Sequence, residues 1–267
     1  MMNEKPEVVI CAAAKVGGIY ANQKYPAQFL FENLSIQNNL IHSAHEHGVK
    51  KLLFLGSACI YPKYAGQPIK EDSILSGSLE PTNEPYALAK IAGIKLCETY
   101  YKQYSDNFIS VMPNNLYGPN DNFNPNTSHV IPALIQKFHK AKVINGEYVK
   151  IWGSGNPFRE FLHVDDLAEA ILFILKNVSA EEIYNKKISH INVGSGEELS
   201  IKELALLIKK IVDFKGKIKF DKSKPDGTPR KLLDTTILDE KGWFSKINLE
   251  EGIKDLYFRY IKNEHLQ

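Results

Sequence analysis

The sequence predicts an α/β protein: a doubly wound parallel sheet followed by a smaller, mixed α/β subdomain. Three observations predict it. Apolar runs at Val8 to Ala13, Lys51 to Leu55 and Phe108 to Met112 alternate with long amphipathic stretches, Pro26 to His47 and Pro85 to about Tyr104; this is the strand–helix–strand order of parallel sheets. The runs have apolar residues at consecutive positions, as in strands covered by helices on both faces. After Pro119 the alternation gives way to shorter strands and helices.

Taken in order, Val8 to Ala13 is a buried strand, and AKVGGIYANQKYP is a loop at its C-terminal end. In the first long helix Phe29, Phe31, Leu34, Ile36, Leu40, Ile41 and Ala44 make an apolar stripe, with Gly48 as its stop. The Lys51–Leu55 strand ends at Gly56 and delivers Ser57 and Cys59, two residues apart, to one side of its C-terminal end. Asn114 to Pro119 turns away from the third strand. Ligands of such sheets bind beyond the C-terminal strand ends, where Ser57, Cys59 and Asn114 fall.

In the second part, DNFNPNTSHVIPALIQKFHKA is a loop entering a helix, Val149 to Trp152 a strand and GSGNPFRE a turn. HVDDLAEAILFILKN is a helix capped by Asp165 or Asp166, and Ile188 to Val193 is a strand. Ser200 and Glu203 have the spacing of a capping box ahead of LALLIKKIV. Lys217 to Phe220 is a strand, KPDGTP a turn, and Asn248 with Glu251 opens the last helix.

Composition narrows the function. At 267 residues the chain is one large domain or two modest ones. A net charge of +2, with both signs interspersed, argues against nucleic acid or a membrane surface as partner. Cys11, Cys59 and Cys97 are no disulfide framework and point to a reducing, cytoplasmic compartment. No apolar run has transmembrane length, and MMNEKPEVVICAAAK lacks the features of a signal peptide.

The chemistry-bearing pattern is Ser57 at a strand end, followed by Tyr86 and Lys90 four apart on the next helix. Residues at that spacing share a helix face. The lysine is expected to stand beside the phenol, favour phenolate and lower its pKa, an arrangement suited to proton transfer to a carbonyl oxygen. Tyr20 and Lys24 match the spacing too, but lack a strand-end serine before them. His42, His45 and His47 share one helix without a matching Cys or carboxylate set, so they are expected to be a solvated face, with no metal. His163 and His190 are expected to be structural.

These residues resemble the extended short-chain dehydrogenase/reductase superfamily, with its Ser…Tyr-x-x-x-Lys triad. AAAKVGGI, LLFLGSACIYPK, LEPTNEPYALAKIAGIKLCE, NNLYGPNDNF, SHVIPALI, REFLHVDD, SHINVG and SKPDGTPRKLLD are similar to the GDP-L-fucose synthase family within it. The resemblance runs from about Glu7 to the C-terminus and implies a Rossmann-type sheet. It implies residues 1–118, with 160–196 partly returning to them, as a dinucleotide-binding domain, and 119–159 with 197–267 as a substrate-binding subdomain. The implied reaction is NADPH-dependent 3,5-epimerisation and 4-reduction of a GDP-sugar, by a homodimer whose two long helices pair with their copies. Extra apolar residues around the second helix, Ile94, Leu96, Tyr100 and Tyr101, are expected at that interface.

Residue by residue, the resemblance implies Ser57, Cys59, Tyr86, Lys90 and His129 as catalytic, with Cys59 and His129 as the acid/base pair at C3 and C5. For the cofactor it implies Leu55, Gly56, Ser57, Ala58, Tyr86, Lys90, Pro113, Asn114, Asn115, Leu116 and His129. For the GDP-sugar it implies Lys137, Trp152, Arg159, Asp226 and Lys231, with Lys137 standing where relatives also carry arginine. The glycine-rich strand–turn–helix that holds a pyrophosphate does not occur in the sequence, and neither does the residue that chooses NAD or NADP. By resemblance Val8–Ala13 is the fourth strand, so the true start is expected upstream, or the chain is a shortened product. Two rivals stay open. One is another nucleotide-sugar epimerase or dehydratase, although a dehydratase would carry Asp-Glu where this chain has Ala58-Cys59. The other is a non-catalytic paralogue acting as a dimerisation or regulatory partner.

Overall fold

A computed structural model describes residues 4–124 and 127–264. The chain runs β1 (Val8–Cys11), α1 (Ile19–Lys24), α2 (Pro26–Glu46), β2 (Lys51–Leu55), α3 (Glu84–Tyr104), β3 (Phe108–Pro113), β4 (Asn115–Tyr117) and α4 (Val130–Val143). It continues through β5 (Tyr148–Trp152), β6 (Phe158–His163), α5 (Val164–Asn177), α6 (Ala180–Asn185), β7 (Ile191–Val193), β8 (Glu198–Ser200) and α7 (Ile201–Val212). It ends with β9 (Lys217–Asp221), β10 (Arg230–Lys231), α8 (Thr236–Glu240) and α9 (Leu249–Glu264).

The apolar runs form the expected parallel sheet, in the order β1-β2-β3-β7. Leu52 and Phe54 pack on the α2–α3 side with Ile41, Ile91 and Ile94, while Leu53, Ile109 and Val111 pack on the other side with Leu167, Ile171 and Ile174 of α5. Burial of each such side chain stabilises the fold by about 1.5–3 kcal/mol. Gly56, just after β2, packs closely on β3: a Cβ there would lie 2.1 Å from Met112 Cε. β1 is one edge of this sheet, with Val8 and Ile10 about half exposed.

A third core, around Ile131, Leu134, Phe138, Leu204, Ile208 and Leu256, lies between α4, α7 and α9 and over β5 and β6. There β4, β6 and β10 pair in parallel, β8 adds antiparallel to β6, and β5 pairs with β9. Three local readings are corrected. The loop after β1 contains α1, and GSGNPFRE runs into β6 rather than remaining a turn. The cap of α5 is His163, whose Nδ1 accepts from the Asp165 amide at 3.2 Å. Asp166 instead accepts from the Lys246 and Ile247 amides, at 3.1 and 3.0 Å, and ties down the chain before α9.

Candidate active site

Ser57 leaves β2 in extended conformation and caps a single 3-10 turn, Ala58–Ile60, its Oγ accepting from the Cys59 amide at 3.5 Å. The turn, rather than strand alternation, sets the position of Cys59. The Ser57 hydroxyl lies beside both the Cys59 thiol and the Tyr86 phenol and opposes the upward shift of each. Phe29 of α2 meets the Tyr86 ring edge-on, 6.2 Å between centroids, and holds it from the other side.

Lys90 shares the helix face of Tyr86, as the spacing predicts. Its ammonium is 5.8 Å from the Tyr86 ring centroid and 4.8 Å from that of Phe54, and it donates to the Leu55 carbonyl at 2.8 Å. The expected lowering of the phenol pKa does not occur. Burial pushes the phenol well above its ordinary value, nearby Cys59 adds to the rise, and the Ser57 hydroxyl opposes it. The ammonium is turned to a carbonyl rather than to the phenol oxygen, so desolvation dominates. A phenol held neutral is a proton donor, which is the form that reduction of a carbonyl requires.

The remaining cofactor-side residues cluster at the same strand ends. Leu55 ends β2, Gly56 and Ala58 follow it, and Pro113 to Leu116 run from β3 into β4. The Asn114 and Asn115 side chains are engaged within the protein. Asn114 donates to the Glu160 carboxylate and to the Lys231 carbonyl, and Asn115 Nδ2 donates to the Glu160 carbonyl at 2.9 Å. His129 is the exposed N-cap of α4 and faces the charge of Asp121. Among the described residues no hydrogen bond joins it to Ser57, Cys59 or Tyr86. The Ser128 Oγ beside it is buried and has no hydrogen-bond partner among the described residues.

Cys59 opens on a small cavity lined by Ala58, Tyr61, Glu80, Asn83, Thr228 and Lys231. Burial pushes its thiol up, and the Lys231 charge is the chief opposing influence. Lys231 is pushed down to about 8, first by burial and also by Arg159. Asn83 Oδ1, at the start of α3, is buried and has no hydrogen-bond partner among the described residues. Glu80, Asn83 and Thr228 are further candidates. Glu80 and Asn83 precede the Tyr86 helix in the same motif, and that proximity was the available signal.

The other substrate-side residues form a second group along the ends of β5 and β6. Trp152, half exposed, lies under two ammonium groups, Lys137 at 5.7 Å and Lys224 at 5.4 Å from its ring centroids. Lys224 was not anticipated. Arg159 donates to the Phe158 carbonyl at 2.7 Å and the Asp226 carbonyl at 3.3 Å, and burial lowers its pKa to about 10. The Asp226 carboxylate accepts from the Ser154 amide and hydroxyl at 2.7 and 2.8 Å, so it fixes the turn after β5. Register places Lys231 opposite Arg159 and so links this group to Cys59.

Elsewhere, Tyr20 and Lys24 sit on α1 with Tyr20 exposed. His42 and His45 bond Tyr100 and Asp106, each at 2.7 Å, and His190 is buried against Tyr61 at 2.6 Å. Among the described residues, no group of three or more His, Cys, Asp or Glu could hold a metal ion, and no helix is long and apolar enough to cross a membrane.

The profile of the NAD dependent epimerase/dehydratase family matches residues 1–194. GDP-L-fucose synthase 1 of Arabidopsis thaliana is 59% identical over 260 residues, 97% of this chain and 78% of that protein. GDP-L-fucose synthase of Escherichia coli (strain K12) is 55% identical over 264 residues, 98% of this chain and 82% of that protein. The crystal structure of a GDP-L-fucose synthetase from Naegleria fowleri bound to NADP superposes with a TM-score of 0.88 at 30% identity, covering 99% of this chain and 80% of that one. The chain belongs to the NAD dependent epimerase/dehydratase family, and within it to the group of the GDP-L-fucose synthases.

Proposed function

We propose that this protein converts GDP-4-keto-6-deoxy-D-mannose to GDP-L-fucose, epimerising C3 and C5 and reducing C4 with NADPH. The observation that carries this is the placing of the Ser57 hydroxyl at the end of β2, where it acts at once on a neutral phenol and on a thiol. One group thus joins a carbonyl-protonating centre to a ring-proton centre. C3 and C5 flank the C4 ketone, so their protons are acidified by enolate formation. Ser57 and Tyr86 hold the developing oxyanion, Cys59 and His129 exchange the ring protons, and Tyr86 protonates the C4 oxygen on reduction. A His129 role requires it to turn inward from its exposed cap position.

The residues fit the nicotinamide-ribose end of NADPH. Lys90 is buried; among the described residues its ammonium makes one hydrogen bond, which leaves two N–H donors for ribose hydroxyls at the strand-end crevice. When bound, the cofactor supplies the hydride for C4. Lys137, Lys224, Arg159 and Lys231 suit a diphosphate, and the face of Trp152 suits a planar base. We further assign residues 1–118 with 160–196 to the cofactor side and 119–159 with 197–267 to the substrate side. We propose a homodimer through α2 and α3, in the cytoplasm, where buried free cysteines stay reduced. The test is turnover: NADPH oxidation coupled to GDP-L-fucose formation supports the reading, and its absence overturns it.

A further inference from the structure

Glu160 lies within β6, fully buried, and no step above uses it. A carboxylate there cannot be solvated, so its oxygens must find donors in the chain. Oε1 accepts from the Gly196 amide at 2.8 Å; Oε2 accepts from the Leu233 amide at 3.0 Å and from Asn114 Nδ2. Every partner is a donor. An amide at this position would turn its own N–H groups toward another N–H on one side or the other. Gly194 is part of the same fit, since a Cβ there would lie 2.2 Å from Oε1.

Two of the segments held in this way carry the site. Asn114 directly follows β3 and also donates to the Lys231 carbonyl at 3.2 Å. Leu233 follows Lys231 by two residues, and β10 lies against β6. We propose that Glu160 is a positioning residue: by clamping the Leu233 amide and the Asn114 side chain, it fixes the Lys231 ammonium against Cys59. This rests on the reading of Cys59 as the ring-proton acid/base.

The test is Glu160→Gln in the whole protein, alone and with Lys231→Met. The readouts are solvent exchange at the sugar ring and the ultraviolet thiolate titration of Cys59, taken as the difference from Cys59→Ser. Both single variants should move the thiol titration to higher pH. Exchange should fall about a hundredfold in Glu160→Gln, the scale of a misplacement near 1 Å. Adding Glu160→Gln to Lys231→Met should cost less than about threefold more, because the two act through one contact. An unmoved thiol titration, or losses that multiply, overturns the clamp. A wild-type protein that exchanges no ring protons overturns the functional reading, yet the thiol titration still decides the clamp. If Glu160→Gln gives no folded protein, Gly194→Ala replaces it, pressing a methyl group on Oε1; the same upward shift is expected, and no shift overturns the proposal.

Discussion

Lys90 stands 5.8 Å from the Tyr86 ring centroid yet gives its hydrogen bond to the Leu55 carbonyl, leaving the phenol to Ser57. The phenol is therefore a neutral acid under the control of Ser57 rather than a lysine-stabilised phenolate. Tyr86→Phe should lower C4 reduction by about 10²–10⁴-fold, the usual value of a positioned proton donor, with the fold retained. Ser57→Ala should cost about 10²–10³-fold, as for loss of an oxyanion donor. NADPH oxidation at saturating substrate measures both, and a Tyr86→Phe protein with the parent rate would remove the phenol from the mechanism.

Cys59 makes a separable contribution. Its thiol is pushed up by burial and held back chiefly by Lys231, and the basic form is the thiolate. Ring-proton exchange should therefore rise with pH through neutrality, because the thiolate fraction grows until the pH passes the thiol pKa. Cys59→Ser should abolish that exchange while leaving reduction of an already epimerised ketone in place. Equal loss of both activities would make Cys59 a structural residue.

The elements that could be read from the sequence are those stabilised locally. The run Leu52–Leu55, the stripe on α2 and the Ser200–Glu203 capping box, with Glu203 N to Ser200 Oγ at 3.1 Å and Ser200 N to Glu203 Oε2 at 2.7 Å, each follow from residues close in the chain. The short strands β4, β6, β8 and β10 did not, because their pairing joins segments up to 72 residues apart, as Phe158 is from Arg230. Helical spacing correctly put Lys90 beside Tyr86, but burial, which spacing cannot report, reversed the expected pKa shift. Ile94, expected on an outer face, is fully buried against the sheet. Glu160, a carboxylate inside a strand, is indistinguishable from a solvated residue until its donors arrive from three distant segments.

A stability prediction follows from Glu71. Burial raises its pKa from 4.5 to about 7, against the opposing Asn192 amide, which donates to Oε1 at 3.0 Å. Between those values the folded protein keeps a proton that the unfolded chain has released. Stability should therefore fall as pH rises from about 4.5 to 7, by about 3 kcal/mol in all for this group. Glu71→Gln keeps the acceptor and removes the titration. Denaturation across that window should show a shallower decline in the variant, and parallel curves would contradict the assignment.

The proposed dimer has its own test. Phe31 on α2 is 71% exposed and Leu88 on α3 is 44% exposed, on two helices packed against each other. The protein should sediment as a dimer at micromolar concentration, and Phe31→Glu with Leu88→Glu should give a monomer. An unchanged sedimentation coefficient in the double variant would place any interface elsewhere.

The most direct measurement is one reaction in deuterium oxide: the purified protein, GDP-4-keto-6-deoxy-D-mannose and NADPH, with the product read by nuclear magnetic resonance. The account predicts GDP-L-fucose carrying solvent deuterium at both C3 and C5, and none at C4, whose hydrogen comes from the cofactor. NADPH oxidation giving a product with neither ring carbon exchanged, or exchange that persists undiminished in Cys59→Ser, would contradict it.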